Sequence, residues 1–362
     1  MELDQILSQG VQLGASDIHL RAGLPPMLRI SGQMVALQGA TKLSPDDTLN
    51  VAAQLMNREQ KERFSAEMEL DLGYGVRGLG RFRVNVFRQR LTLALVFRVI
   101  PSRVPVFDEL HLPKVLEFIA AERRGLILVT GATGSGKSTT LAALVDYINK
   151  HRTAHILTIE DPIEFMHRDQ GCVVTQREVG SDTTSFSGAL RAALRQDPDV
   201  ILVGEMRDAE TIEVALAAAE TGHLVISTLH TIGAAETLNR ITSLFPPYQQ
   251  SRLRLQLGSL LRAVVSQRLV PLADGRGRVP AVEVLVNKGQ IRESIENEAK
   301  MRDISDAIAR GAAAYGCQTF DQSLHNLYET GLISYDDALL FASNADDLAL
   351  RMSGVVASST SY

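Results

Sequence analysis

The sequence Gly131-Ala132-Thr133-Gly134-Ser135-Gly136-Lys137-Ser138 follows an apolar run at 126–129 and precedes an alanine-rich segment at 139–149. It matches the pattern G-x-x-x-x-G-K-[ST] without a gap, where a strand is expected to pass into a helix. The glycines let backbone N–H groups approach phosphate oxygens, and the following helix adds its positive end. A chance glycine-rich turn would not need this flanking strand and helix. The stretch therefore predicts a nucleoside triphosphate site.

Two side chains of this loop carry specific expectations. Lys137 is expected to hold the β- and γ-phosphates of ATP, and the hydroxyl of Ser138 is expected to bind Mg²⁺. The residues predicted to bind the nucleotide are Gly131, Thr133, Gly134, Ser135, Gly136, Lys137, Ser138 and Thr139. ATP and Mg²⁺ are therefore the predicted cofactors.

The composition indicates an ordinary globular protein. A length of 362 residues suggests two or three domains, and 45% hydrophobic with 22% charged residues is typical of soluble chains. The net charge of −5 disfavours a dedicated nucleic-acid binder. No run approaches the ~18–20 apolar residues of a membrane span, and the N-terminus lacks a signal-peptide pattern, so we expect a cytoplasmic protein.

Two cysteines, Cys172 and Cys317, lie far apart in the sequence. This spacing offers neither a disulfide framework nor a C-x-x-C zinc pair. Both are expected to be buried apolar residues.

The first hundred residues predict a small α+β domain. Spacing and turn signals predict helices at 2–13 and 45–56, and strands at 16–20, 27–30, 34–37, 80–87 and 93–100. Along the strand at 80–87, alternation places Phe82, Val84 and Val86 on one face and Arg81 and Arg83 on the other. The arginines are interpreted either as a solvated face or as contacts to a phosphate on another subunit, together with Arg88 and Arg98.

A linker at 101–105 carries two prolines, and we expect the domain boundary there. Beyond it, strands alternate with helices, which predicts a mostly parallel sheet covered on both faces. The predicted strands are 126–129, 156–159, 200–203 and 224–227, and the predicted helices are 138–149, 187–195 and 209–220. A helical region is expected at 289–362, with helices at 289–297, 300–310, 319–330 and 334–343 and a frayed end at 357–362.

A carboxylate follows the predicted strand at 200–203, where phosphate-loop proteins place an acid near the metal. Gly204 occupies a position at which aspartate is common, so Glu205 is expected to do this work, either on Mg²⁺ or through a water. Glu205 is therefore the predicted metal-associated acid.

A second acidic group, at 158–164, holds Glu160, Asp161 and Glu164. Three carboxylates so close repel one another unless a cation is near, and a metal-bound nucleotide supplies one. We favour Glu164 as the residue that activates water, with Glu160 as the rival and a solvated turn as the alternative.

Histidines flank the strand at 224–229. His230 follows the strand and is placed to sense the γ-phosphate, whereas a structural role for a histidine at a strand end is equally open. His223 precedes the same strand.

Four motifs occur in order, at 131–140, 158–165, 195–208 and 221–231: GATGSGKSTT, TIEDPIEF, RQDPDVILVGEMRD and TGHLVISTLHT. With these motifs the chain resembles the type IV pilus twitching-motility and retraction ATPases, the PilT/PilU family of the secretion ATPase superfamily. The resemblance extends through SDIHL and GRFRVNVF near the start and through GCQTFDQSL and ISYDDAL near the end. It therefore covers nearly the whole chain.

The resemblance implies a homohexameric ATPase motor that powers pilus retraction and twitching motility. It implies a PAS-like domain at 1–100, a RecA-like ATPase core at 106–288 and a helical C-terminal region at 289–362. The motor would be peripheral to the inner membrane, on its cytoplasmic side, and would act with the pilus platform protein and not directly on nucleic acid.

By motif position, the resemblance implies that Glu164 is the catalytic glutamate, Glu205 the Walker B acid and His230 the histidine of the last motif. It further implies roles for Arg195 and Arg207 around Walker B. The resemblance also implies a role for three arginines near the N-terminus, Arg81, Arg83 and Arg98, which would reach the nucleotide from a neighbouring subunit.

One segment departs from the family pattern. QIRESIEN at 290–297 stands where the retraction ATPases carry AIRNLIRE, with Arg292 kept and Glu296 in place of the second arginine. The principal retraction motor, an accessory motor of the PilU kind and another paralogue all stay open.

Three other functions are alternatives. A pilus-extension or type II secretion ATPase usually carries an extra N-terminal domain and a four-cysteine zinc motif, and neither is expected here. A RecA-like DNA translocase is disfavoured by the acidic charge. A regulatory module that binds nucleotide without hydrolysis is disfavoured by the acidic groups.

Overall fold

The structure is a computed structural model that describes residues 2–101 and 103–353. The described chain forms two compact units, Met1–Arg103 with Pro162–Met166, and Val104–Asp161 with His167–Tyr362. Residue 102 of the predicted linker and the end predicted to fray, 357–362, lie outside the described residues. No helix in the described ranges is long and apolar enough to cross a membrane.

The first unit is an antiparallel sheet with helices packed on one face. Its strand order is β3-β2-β1-β6-β5-β4. The elements are α1 (Leu3–Gln12), β1 (Asp17–Arg21), β2 (Met27–Ile30), β3 (Gln33–Ala36), α2 (Pro45–Leu55), α3 (Arg58–Glu67), β4 (Glu69–Val76), β5 (Gly80–Gln89) and β6 (Thr92–Ile100).

The helix signals read from the sequence match the structure at α2. Ser44 caps the helix by accepting from the amide of Asp47, whose carboxylate accepts from the amide of Ser44, and Pro45 occupies the first turn. Helix α3 and strand β4 were not predicted. Helix α3 buries only Phe64, and so it offers little helical periodicity.

The alternation predicted for β5 is confirmed. Phe82, Val84 and Val86 are fully buried in a core that includes residues of α1, α2 and α3, while Arg83 is exposed on the opposite face. The charged face of the sheet is thus the one turned away from the helices of this unit.

The second unit is built on a seven-stranded sheet of order β13-β12-β7-β11-β10-β8-β9. Strands β7 to β12 pair in parallel, and only β13 pairs antiparallel in the part described. Its strands are β7 (Gly125–Thr130), β8 (His155–Glu160), β9 (Val173–Glu178), β10 (Val200–Val203), β11 (Leu224–Leu229), β12 (Leu261–Pro271) and β13 (Arg278–Val286).

Helices cover this sheet and form the last part of the described chain. They are α4 (Val115–Ala120), α5 (Lys137–His151), α6 (Phe186–Ala193), α7 (Ala209–Glu220), α8 (Ala234–Ser243), α9 (Pro247–Leu260), α10 (Gln290–Glu296), α11 (Ile304–Arg310), α12 (Ala312–Tyr315), α13 (Phe320–Glu329), α14 (Tyr335–Phe341) and α15 (Ala345–Met352), with a 3₁₀ helix at Glu298–Asp303. The helix predicted at 300–310 is therefore divided, because Asn297 caps a separate 3₁₀ turn ahead of α11. Both cysteines are buried and free, as predicted.

Candidate nucleotide site

The carboxyl ends of four neighbouring strands gather most of the predicted site residues of the second unit at one edge of its sheet. Strands β7, β11, β10 and β8 are adjacent and parallel. The phosphate loop follows β7, His230 follows β11, Glu205 follows β10, and Glu160 ends β8. In open α/β sheets, ligands bind at this edge.

The glycines of the phosphate loop meet steric demands that other residues would not. Gly131 has φ 146°, and a Cβ there would lie 2.5 Å from both the carbonyl oxygen of Gln267 and the hydroxyl of Ser135. Gly134 and Gly136 have φ 78° and 90°, in the left-handed region that favours glycine. The loop is therefore held in a tight conformation that depends on these glycines.

The loop carries donors that suit a phosphate. The Nζ of Lys137 donates to the carbonyl oxygens of Gly131 and Ala132, at 2.8 and 2.9 Å. Helix α5 begins at Lys137 and has no side-chain cap, so its N-terminus is a suitable place for an anion. The hydroxyl of Ser135 is buried and has no hydrogen-bond partner among the described residues. This cradle fits a triphosphate.

Strand β12 anchors the loop from the other side. The hydroxyls of Thr130 and Ser266 are 2.8 Å apart, and the Nε2 of Gln267 donates to Thr140 at 2.9 Å. These anchors join residues more than a hundred positions apart and were not predicted. The apolar runs of β12 and β13 are the sequence signal from which these two strands, and so the anchors on β12, could have been predicted.

Three predicted residues meet at the end of β10. Glu205 is 12% exposed, and its Oε1 is paired with Arg207. Its Oε2 lies 3.2 Å from the Nε2 of His230. The guanidinium of Arg207 and the imidazole of His230 are both largely open to solvent. The two groups that hold the carboxylate can therefore also reach a ligand.

The geometry accounts for glycine at 204. A Cβ on Gly204 would lie 3.2 Å from the carbonyl oxygen of Ile159 and 3.3 Å from the Cα of Glu160. Its amide donates to Ile159 at 2.7 Å, and its carbonyl oxygen accepts from the hydroxyl of Thr228 at 2.6 Å. An aspartate there would crowd the neighbouring strand, and Glu205 is the first acidic residue after this position.

The acidic group at the end of β8 is divided between the two units. An oxygen of Glu160 accepts from the hydroxyl of Thr158 at 2.7 Å and from the Nε2 of Gln176 at 3.1 Å. Glu164 is exposed in the segment Pro162–Met166, which groups with the first unit. The choice of Glu164 over Glu160 as the water-activating residue stays a prediction.

Two other candidates lie at the opposite edge of the sheet. Arg195 stands between α6 and the start of β10, where it donates to the carbonyl oxygen of Arg191 at 3.2 Å. His223 stands before β11, with its Nδ1 2.9 Å from the carbonyl oxygen of Ala218. Within the second unit, neither is brought together with Glu205.

The arginines of the first unit form a lateral row across its charged face. Arg29, Asp17, Arg98 and Arg83 are successive register partners on β2, β1, β6 and β5. The Nε of Arg98 lies 2.9 Å from Asp17, and Arg83 lies 3.6 Å from Asp71. Arg81 is half-buried two positions before Arg83 on the same face. The predicted arginines thus share one surface.

Asp17 stabilises this row. Its side chain is 9% exposed, and burial by itself raises the pKa of the carboxyl. Hydrogen bonds from Arg98 and Ser16 outweigh that effect, so the pKa of Asp17 lies below its usual value. The buried carboxylate therefore remains charged at neutral pH.

The protein offers few ligands for a metal by itself. Within the described ranges, no group of three or more His, Cys, Asp or Glu side chains could hold an ion. Magnesium bound with a nucleotide needs only one or two protein groups in addition to phosphate oxygens and water. Ser138 and Glu205 are of the right chemistry for this minimal set.

Comparison with known proteins assigns the family. The model of the family described as "Type II/IV secretion system protein" matches residues 2–351. The chain belongs to this family. It is 43% identical over 352 residues to the type IV pilus ATPase PilU of Pseudomonas aeruginosa, covering 97% of this chain and 91% of that relative. It is 47% identical over 341 residues to the protein named "Type IV pilus retractation ATPase PilT" of the same organism, covering 93% and 97%.

A solved structure extends the likeness to the whole fold. The crystal structure of the pilus retraction motor PilT with bound ADP aligns with a TM-score of 0.88 at 46% identity, covering 96% of this chain and 99% of that one. The predicted fold class and the predicted resemblance to the PilT/PilU family are confirmed.

Proposed function

We propose that this chain is an ATPase motor that converts ATP and water to ADP and phosphate and uses the energy to retract type IV pili. The observation that carries the proposal is the position of Glu205, held by Arg207 and His230 at the strand edge that also bears the phosphate loop. The similarity to PilT and PilU supports the mechanical task. Twitching motility is the expected output.

The residues of the second unit divide the work of phosphoryl transfer. Lys137 leaves the carbonyl oxygens of its own loop to bind the β- and γ-phosphates. Ser138 and Glu205 would hold Mg²⁺, which would neutralise charge on the phosphate oxygens. His230 links Glu205 to the γ-phosphate and reports its loss, and Arg207 keeps the carboxylate in place. Glu164 activates the water, with Glu160 as the rival.

The motor works as a homohexamer with shared sites. Arg81, Arg83 and Arg98 contribute positive charge to the nucleotide of a neighbouring subunit. An arginine supplied in this way accelerates hydrolysis by roughly 10³–10⁵ in systems where it has been dissected. Hydrolysis is thereby coupled to motion between subunits. Arg195 remains a predicted catalytic residue near the Walker B strand, although in its own unit it lies at the edge of the sheet opposite Glu205.

The hexamer is placed at the cytoplasmic face of the inner membrane, bound to the pilus platform protein. The PAS-like domain at 1–100, the linker at 101–105, the RecA-like core at 106–288 and the helical region at 289–362 are the proposed parts of each subunit. No direct contact with nucleic acid is part of the proposal. DNA-stimulated turnover would favour the translocase alternative.

The second candidate function is an accessory motor of the PilU kind, and an ion pair within helix α10 favours it. The Nε of Arg292 is 2.8 Å from Glu296, one turn along the same helix. A Cβ on Gly258 of α9 would overlap Glu296, so glycine makes room for this acid. The arginine retained from the retraction motif is thus paired within its own helix.

A clean deletion in the source organism separates these functions. Surface pili are counted by electron microscopy, and twitching is scored on agar, with the wild-type chain and Lys137→Ala as complementing variants. Excess pili without movement indicate the principal retraction motor. Normal pili with weakened twitching indicate the accessory motor, and absent pili indicate extension and contradict the proposal.

A further inference from the structure

A cavity lies in the second unit, between α8, α9 and the 3₁₀ helix with α11. Its volume is about 660 Å³, within the ~300–1,000 Å³ range of small-molecule sites. The described residues that line it include Asn239, Arg254, Glu298, Arg302 and Ser305. They include none of the residues predicted for the nucleotide site. The cavity therefore needs a separate explanation.

Arg254 is the unusual member of this wall. Its side chain is only 6% exposed. Its Nε and Nη1 are buried and have no hydrogen-bond partner within residues 2–101 and 103–353. The carboxylate of Glu298 is 4.0 Å from Nη2, beyond hydrogen-bond distance, and is itself 78% exposed. A guanidinium keeps its charge in proteins, so its unsatisfied donors carry a real energetic cost.

The pattern of α9 shows that an apolar side chain would suit the position. Leu253 and Leu257 on the same helix are buried in the main core of the second unit, and Gly258 packs closely under Glu296. Arg254 lies on this buried face, whereas Leu255 is 57% exposed. A charged residue at a core position with unmet donors is a mark of a binding role.

We propose that this cavity binds a small soluble oxyanion, a phosphate or carboxylate group, that accepts hydrogen bonds from Arg254. The planar fork of a guanidinium matches such groups bidentately. Arg302 supplies a second positive charge in the same wall, and Asn239 and Ser305 supply neutral polar groups. Glu298 competes for Arg254 and moves aside when the anion binds.

The place of the cavity gives the ligand a route to the ATP site. Asn239 belongs to α8, which begins at Ala234, shortly after His230. A bound anion would therefore contact the helix that follows the predicted γ-phosphate sensor. Binding itself does not depend on the proposed motor function.

The test uses the full chain with saturating ADP and Mg²⁺, so that the phosphate loop is filled. Inorganic phosphate and, separately, citrate are titrated against chloride of equal ionic strength while the melting temperature is followed. A saturable rise in the melting temperature is expected for the wild type. Arg254→Gln should raise the half-saturating concentration at least about tenfold, because charged hydrogen bonds are lost. Glu298→Gln should lower it, and the exposed neighbour Arg252→Gln should leave it unchanged.

The two probes distinguish the sources of the anion. A response to phosphate alone assigns a phosphate-bearing ligand, a response to citrate alone assigns a carboxylate, and a response to both assigns a general oxyanion site. A response to neither, or one that is equal in wild type and Arg254→Gln, overturns the proposal.

A further variant keeps the test independent of folding. Arg254→Met removes the unpaired buried charge and should melt at the same or a higher temperature in anion-free buffer. A lower melting temperature would show that Arg254 is a structural residue and would overturn the proposal. If Arg254→Gln does not fold, the lower half-saturating anion concentration expected for Glu298→Gln still tests the proposal, and an unchanged value would overturn it.

Discussion

The Oε2 of Glu205 and the Nε2 of His230 lie 3.2 Å apart at the ends of two adjacent parallel strands. The second carboxylate oxygen of Glu205 is paired with Arg207. The acid is thus fixed by two neighbours of its own chain, so under the proposed function little rearrangement would be needed when charge develops on a phosphate. Such preorganisation is a large part of catalytic power in polar sites.

Glu205→Gln should retain ATP binding and lower steady-state phosphate release by about 10²-fold or more, because the amide keeps the shape but loses the charge beside the metal. The measurements are phosphate release and binding of a fluorescent ATP analogue. Glu220→Gln is the matched control, since Glu220 is exposed at the far end of α7. Unchanged turnover in Glu205→Gln would remove this residue from the site.

The two histidines that flank β11 provide an internal comparison. His230→Asn should lower turnover with little effect on ATP affinity, because His230 contacts Glu205 at the site edge. His223→Asn should leave turnover unchanged, because its ring is occupied with the carbonyl oxygen of Ala218 at the opposite edge. Steady-state kinetics on both variants test this, and equal effects of the two would refute the assignment of His230.

Arg83→Ala should lower turnover at little cost in stability, because its partner Asp71 is 56% exposed. Arg98→Ala should lower both turnover and stability, because it removes the 2.9 Å ion pair of the buried Asp17 and leaves this carboxylate with the more distant Arg29, at 3.8 Å. Arg58→Ala, on exposed α3, is the control for a lost surface arginine.

If the arginines act between subunits, mixing Arg83→Ala with Glu205→Gln subunits should restore some turnover. A mixture as inactive as its components would place the arginine in the same subunit as the acid.

Asp17 should give the first unit a pH-dependent stability. Its folded pKa is lowered, so the contribution is present above the unfolded value near 3.8 and is lost as the pH falls through the folded pKa. Asp17→Asn should therefore reduce the urea midpoint at pH 7, with a smaller reduction at pH 3. Asp71→Asn, at an exposed carboxylate, should change little at either pH. A penalty for Asp17→Asn that does not shrink in acid would contradict the charge pairing.

Much of the second unit could be predicted because its elements carry strong local signals. The apolar run of β10 and the alanine-rich α7 have the predicted bounds, and Asp208 caps α7 by accepting from the amide of Thr211 at 2.8 Å. Strand order then places the ends of β7, β10 and β11 together, which is why Glu205 and His230 could each be assigned to the nucleotide site from sequence.

The remainder depends on contacts that no local pattern records. The bond between Thr130 and Ser266 spans 136 positions, and the crowding at Gly131 comes from the backbone of β12. Strand β4 was missed because Gly73 and Gly75 interrupt an otherwise alternating segment. Arg254 gave no signal, since a buried arginine is recognised only when its missing partners are seen.

The most direct measurement of the proposed site is phosphate release by the wild-type chain and by Lys137→Ala under saturating ATP, with and without Mg²⁺. The amine of Lys137 donates to carbonyl oxygens of its own loop, so replacing Lys137 should preserve the rest of the fold. Circular dichroism would verify this. We expect Mg²⁺-dependent release by the wild type and a rate lower by about 10²-fold or more in Lys137→Ala. Equal rates for the two proteins, or no release by the wild type, would contradict the assignment of residues 131–138 as the ATP site of this motor.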